Sequence, residues 1–94
     1  MLTVIAKFKA KLDRLEEAKK VLCSLVVPTL MEEGCIQYDL HQSKEEPDTF
    51  FIYENWTNDE CLTRYLSKDY NKDFYEKSKM LLQQPMEIFL LSRI

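Results

Sequence analysis

Three observations predict an α+β fold for this chain: four apolar, strand-like segments, two amphipathic helical regions between them, and a short polar turn joining the two middle strands. The order is β-α-β-β-α-β, the split βαβ or ferredoxin-like arrangement, with an antiparallel sheet and both helices on one face. Ninety-four residues are expected to make one domain, residues 1–94, with room for one modest core.

The first segment, MLTVIAKFKA, alternates: Leu2, Val4, Ala6, Phe8 and Ala10 share one face, and Thr3, Lys7 and Lys9 share the other with Ile5. Asp13 and Glu16 have the spacing of a capping box and open a helix. Its stripe is Leu15, Ala18, Leu22, Leu25 and Val26. Pro28 removes a backbone donor and bends it late, and Gly34 is expected to stop it. CIQYDLHQS is the second strand, with Ile36, Tyr38 and Leu40 on one parity and Cys35, Gln37, Asp39 and His41 on the other.

After the turn KEEPD, the strand from Thr49 to Trp56 returns as a hairpin. Thr57 and Glu60 form a T-x-x-E capping box that starts the next helix, whose apolar positions are Cys61, Leu62, Tyr65 and Leu66. Ser67 is placed to cap a continuation with Tyr70, Phe74, Leu81 and Leu82 as its stripe. QQP ends that helix, and MEIFLLSRI is a last strand, apolar at both parities.

Composition narrows the function classes. The hydrophobic share is 46%, the charged share 31% and the net charge −3, with no long basic run. A phosphate-contacting patch, and with it a nucleic-acid partner, is therefore not expected. No apolar run reaches the ~20 residues that cross a bilayer, and the N-terminus reads as a strand rather than a charged leader. Three widely spaced cysteines point to a reducing cytoplasm rather than a disulfide framework. With no C-x-x-C and a single histidine, His41, no metal site is expected; with a single glycine, no glycine-rich phosphate loop.

The strand TFFIYENW is apolar at both parities. One parity belongs under the helices, which leaves the other uncovered. Ile5, Phe51, Tyr53, Phe89 and Leu91 group together, so whichever side takes the helices, several large apolar residues lie on a bare sheet face. A patch of that size marks an interface, and a homodimer joined sheet to sheet is expected. A small-molecule site then belongs between sheet and helices. Glu54 and Trp56 share parity with Phe50 and Ile52 and project the same way. The polar candidates there are the Tyr38 and Tyr65 hydroxyls, the Glu54 carboxylate and the Trp56 N–H. His41 falls on the parity opposite Tyr38 and Leu40, toward the dimer face or a sheet edge. Cys35 has no neighbouring base in the sequence and reads as a free thiol.

The stretch EEGCIQYDLHQSKEEPDTFFIYENWTNDECLTRYL resembles the antibiotic biosynthesis monooxygenase (ABM) family through Glu32, Gly34, Cys35, Tyr38, Leu40, Pro47, Phe50, Glu54, Trp56 and Leu62 in this order and spacing. The similarity runs from Leu2 to about Leu91. It implies a dimeric α+β barrel of the quinol-monooxygenase-like kind and oxidation of a small aromatic quinol, phenol or anthrone by dioxygen without a cofactor. On this reading Glu54, Asn55, Trp56 and Tyr65 are the catalytic candidates. Tyr38, Phe50, Ile52, Tyr70 and Phe74 are the substrate-binding candidates.

Many members of the family carry histidine nine residues beyond the tryptophan and often another five later, where this chain has Tyr65 and Tyr70. A tyrosine hydroxyl, with an ordinary pKa near ~10, donates a hydrogen bond but is a poor base at neutral pH. The haem-degrading relatives use an asparagine from the first strand, and LTVIAKFKA has none. The alternative is a non-catalytic dimer of the same fold that binds a small hydrophobic ligand.

Overall fold

The computed structural model describes residues 1–94. Strands β1 (Leu2–Lys9), β2 (Cys35–Gln42), β3 (Thr49–Trp56) and β4 (Glu87–Leu91) form one antiparallel sheet in the order β2-β3-β1-β4. The helices are α1 (Leu15–Ser24), α2 (Val26–Leu30), α3 (Asp59–Leu66) and α4 (Asp69–Leu81). The α+β arrangement expected from the sequence is present.

Alternation decides which face is covered. Val4, Ala6 and Phe8 of β1 and Phe50, Ile52, Glu54 and Trp56 of β3 are buried on the helix side. Around them pack Ala18, Leu22 and Leu25 from the first helical region and Phe74 and Leu81 from α4, with the Phe8 and Phe74 rings edge to face at 5.8 Å. Fully burying a side chain such as Phe50 or Ile52 stabilises the fold by roughly 1.5–3 kcal/mol.

The opposite face carries a row of Tyr53, Ile5 and Phe89 on neighbouring strands, with Phe51 and Leu91 beside it. Nothing in the chain covers it. Strand β4 is exposed on both sides, since it lies at the sheet edge beyond the reach of the helices.

Several local expectations are corrected. The first helical region opens with a 3-10 turn (Leu12–Arg14) that contains Asp13, and no side chain caps it or α1. It breaks at Leu25, because Pro28 has no N–H for the Ser24 carbonyl. Helix α2 ends at Leu30, four residues before Gly34. The cap of α3 is Asn58, whose Oδ1 accepts the Cys61 N–H at 2.9 Å. Thr57 instead faces the Gly34 carbonyl, donating from both its backbone N and its hydroxyl. Ser67 closes α3 through the Arg64 carbonyl, and α4 starts after Lys68 without a side-chain cap. A register shift between Cys35 and Gln37 turns Ile36 out of the β2 alternation, leaving it exposed.

Gly34 has a different task from stopping a helix. Its φ is +86°, and a Cβ there would run into the Cβ and Sγ of Cys61. The turn before β2 therefore seats directly on α3, tied by the Thr57 N–H to Gly34 O bond of 2.8 Å. Gly34→Ala combines an unfavourable left-handed backbone with overpacking and is expected to cost roughly 2–4 kcal/mol, read as a lowered urea midpoint at unchanged m-value.

Candidate active site

A cavity of about 1000 Å³ lies between the helix layer and the sheet. Its floor is the helix-side face of the sheet: Val4, Ala6 and Phe8 from β1, Ile52 and Glu54 from β3, and Tyr38 from β2. Leu62 and Tyr65 of α3 and Phe74 of α4 form the opposite wall. Ile88 and Leu90 of β4 border it while remaining 50% and 61% exposed, so the cavity opens along the β4 edge. Most of the lining is apolar, and the polar groups other than the half-buried Asn71 divide into two sets. Glu54, Tyr38 and Tyr65 are buried, whereas Asp59, Thr63, Lys72, Asp73 and Glu76 are exposed at the mouth.

Glu54 is the only carboxylate of the buried set, and just 6% of it is exposed. Strand periodicity puts Trp56, two residues on, on the same face. Its Nε1–H donates to Glu54 Oε1 at 2.8 Å. No other donor in the protein engages the carboxylate. Burial pushes its pKa up from 4.5 to about 7, against the pull of the indole hydrogen bond. At neutral pH this group is divided between acid and base forms, which suits proton transfer.

Tyr38 lies directly across from Glu54 in the β2–β3 register. Burial raises its pKa strongly, and the neighbouring Tyr65 and Glu54 oppose a phenolate further. Tyr65 projects from α3, with its ring 4.8 Å from the Trp56 ring, and its hydroxyl shares a 2.9 Å hydrogen bond with that of Thr29. Burial raises its pKa, while the Thr29 bond works the other way. Both phenols therefore stay protonated at neutral pH. Cys35 is also unsuited to nucleophilic work: burial, then the Glu54 charge, raises its thiol to about 11.

Five sequence candidates meet at the cavity: Glu54, Tyr65, Tyr38, Ile52 and Phe74. Four do not line it. Trp56 is fully buried behind the wall and acts through Glu54. Phe50 is part of the core on the helix side, outside the lining. Tyr70 packs edge-on against Tyr65 and donates to Glu32 Oε2 at 2.6 Å, outside the lining. Asn55 is on the other face of the sheet, because its odd position in β3 points it away from Glu54. There its Oδ1 accepts from the Thr3 hydroxyl and its Nδ2 donates to Gln37 Oε1, both at 2.9 Å. His41 is exposed on that same face, beside Phe51.

Sequence reasoning missed Thr29, which is fully buried and fixes the Tyr65 hydroxyl. The signal was present: Thr29 follows Leu25 by four residues and Leu22 by seven, placing a hydroxyl on an apolar helical stripe. No group of three or more His, Cys, Asp or Glu side chains is gathered as metal ligands.

A family model described as antibiotic biosynthesis monooxygenase matches residues 1–77. The chain belongs to this family. Relatives agree across nearly its full length. The Bacillus subtilis protein named "Putative monooxygenase YcnE" is 31% identical over 88 residues, covering 94% of this chain and 93% of that protein. An uncharacterized Synechocystis protein is 32% identical over 87 residues, or 93% of this chain, and the chain spans 59% of that longer protein. A solved structure from Pseudomonas aeruginosa superposes with a TM-score of 0.92 at 34% identity, over 99% of this chain and 93% of its own. Membership in the ABM family supports a monooxygenase-like function. No helix is long and apolar enough to cross a membrane.

The raised Glu54 pKa has a measurable consequence for stability. The folded protein holds this proton more tightly than the unfolded chain. The stabilisation is therefore complete below about 4.5 and lost as pH rises through about 7. At ~1.4 kcal/mol per pKa unit the loss is on the order of 3 kcal/mol. Urea denaturation across this window is expected to give a falling stability for the wild type and a flatter one for Glu54→Gln.

Proposed function

We propose that this ABM-family chain is a cofactor-independent monooxygenase that oxidises a small aromatic quinol, phenol or anthrone with dioxygen. The observation that carries this reading is the single buried carboxylate, with a pKa of about 7, facing an apolar cavity large enough for fused rings. Glu54 takes the proton of the substrate hydroxyl, or of the acidic anthrone carbon. The electron-rich anion then donates to dioxygen, and the Tyr38 and Tyr65 hydroxyls stabilise negative charge as it develops on oxygen. Atoms balance with the substrate as sole reductant. A phenol with a para C–H yields a quinone and one water, and an anthrone CH2 becomes a carbonyl with one water. Trp56 positions Glu54 and keeps its pKa from rising further.

The working unit is a homodimer joined through the bare face, where Ile5, Phe51, Tyr53, Phe89 and Leu91 leave apolar surface that a second copy would bury under two-fold symmetry. The three free thiols suit a reducing, cytoplasmic setting.

One observation favours a second reading, a non-catalytic binder of small hydrophobic ligands. Tyr65 and Tyr70 stand where many relatives carry histidine, and both have raised pKa values, so neither can act as a base. Turnover decides between the two. Oxygen uptake with a panel of hydroquinones and anthrones, without added metal or flavin, is expected to exceed the uncatalysed rate, with kcat/KM rising with pH to a plateau above about 7. Glu54→Gln is expected to lower kcat about 10²-fold or more. Ligand binding without uptake supports the binder instead. For the assembly, sedimentation equilibrium at micromolar concentration is expected to give a dimer, and Phe89→Glu a monomer; a wild-type monomer would refute the sheet-to-sheet interface.

A further inference from the structure

The charges around the cavity bear on which aromatic compounds can enter it. Among its lining residues Lys72 is the sole base, and it is exposed at the mouth. The same mouth holds Asp59, Asp73 and Glu76, of which Glu76 is paired with Lys79 at 3.2 Å. Around Glu54 the groups that face it are neutral or of the same sign when ionised. These are Tyr38 and Cys35 from β2, Trp56 from β3 and Tyr65 from α3. Val4 of β1, paired with Glu54 in the sheet, and Leu90 of β4 beyond it are apolar. Helix α4 contributes only the mouth residues Lys72, Asp73 and Glu76 with Asn71, Tyr75 and the Phe74 ring.

A ring that brings a carboxylate, sulfonate or phosphate inward would lose its hydration, meet the Glu54 charge and find no cation in compensation. An uncharged hydroxyl meets the opposite circumstance. It can donate to the open Glu54 oxygen and accept from a tyrosine.

Taking the cavity as the substrate site, we propose that it selects aromatic hydroxy compounds that carry no anionic group and rejects aromatic acids of the same shape, with Glu54 as the selecting residue. The substrate is thus a free, neutral ring rather than one bearing a carboxylate or a phosphorylated carrier. A reaction that supplies it must release the ring from any such group first.

The test is equilibrium binding of 2-naphthol against 2-naphthoate, two rings of one size, under anaerobic conditions so that turnover plays no part. At pH 8 naphthol is expected to bind at least tenfold more tightly. On lowering the pH to 5.5, naphthoate stays ionised while Glu54 becomes protonated, so the gap is expected to narrow several-fold in the wild-type protein. Glu54→Gln is expected to narrow it at pH 8, and Lys72→Ala to leave it in place. Equal affinity for the two rings at pH 8, a gap unchanged by both pH and Glu54→Gln, or no binding of either ring would each overturn the proposal. Naphthol selectivity together with an absence of oxygen uptake in the turnover assay would leave the selection standing and remove the oxygenase reading alone.

Discussion

The hydrogen bond from the Trp56 indole to Glu54, 2.8 Å long, is the interaction on which the rest of the site depends. A carboxylate with 6% exposure cannot remain ionised in an apolar cavity without a compensating donor. The indole supplies that donor on one oxygen and leaves the other toward the cavity. The two opposing effects, burial upward and hydrogen bonding downward, set the group near neutrality. Without the indole bond burial would hold the proton more tightly, and without burial the bond would favour the charged form.

Holding that pair in place takes much of the surrounding structure. Trp56 is fully buried because the Tyr65 ring, Leu62 and Cys61 of α3 close over it with Val4 from below. Helix α3 is in turn located by its Asn58 cap and by the Gly34 turn, which lies too close to Cys61 for any other residue. The Thr29 hydroxyl reaches Tyr65 because Pro28 interrupts the preceding helix and sets a short α2 beside β2. A change at Gly34 or Thr29, neither of which lines the cavity, therefore acts on the same carboxylate. Tyr70 and Glu32 extend this bracing outward, joining α4 to the turn before β2.

Strand β3 does two jobs at once. Its even positions face the helices, with Ile52 and Glu54 in the cavity floor, and its odd positions face the uncovered side, so Asn55, one residue from Glu54, belongs to a different surface. There Thr3, Asn55, Gln37 and Asp39 form a polar chain across three strands, beside the apolar row of Tyr53, Ile5 and Phe89. A one-residue slip of register would exchange the two sets, taking Glu54 out of the cavity and putting Asn55 on the helix side.

Alternation in β1 and β3, the polar KEEPD turn and the helical stripes were enough to give the element order, the family resemblance and the grouping of Glu54 with Ile52 and Trp56 on one face. These are local properties, set by periods of two and 3.6 residues along the chain. The local capping rule points to Thr57 where Asn58 is the cap, because several polar residues in a row satisfy it, and glycine before a strand reads as a helix end where packing against Cys61 is what requires it. Whether Trp56 lines the cavity or stands behind Glu54, whether Tyr70 enters it, and which hydroxyl meets Tyr65 were decided by tertiary structure alone. Parity says which face a side chain leaves from, whereas depth below that face depends on how the helices pack against it. The sequence by itself determined what this protein is built from and which residues share a side; the packing of α2, α3 and α4 onto the sheet decided which of them meet.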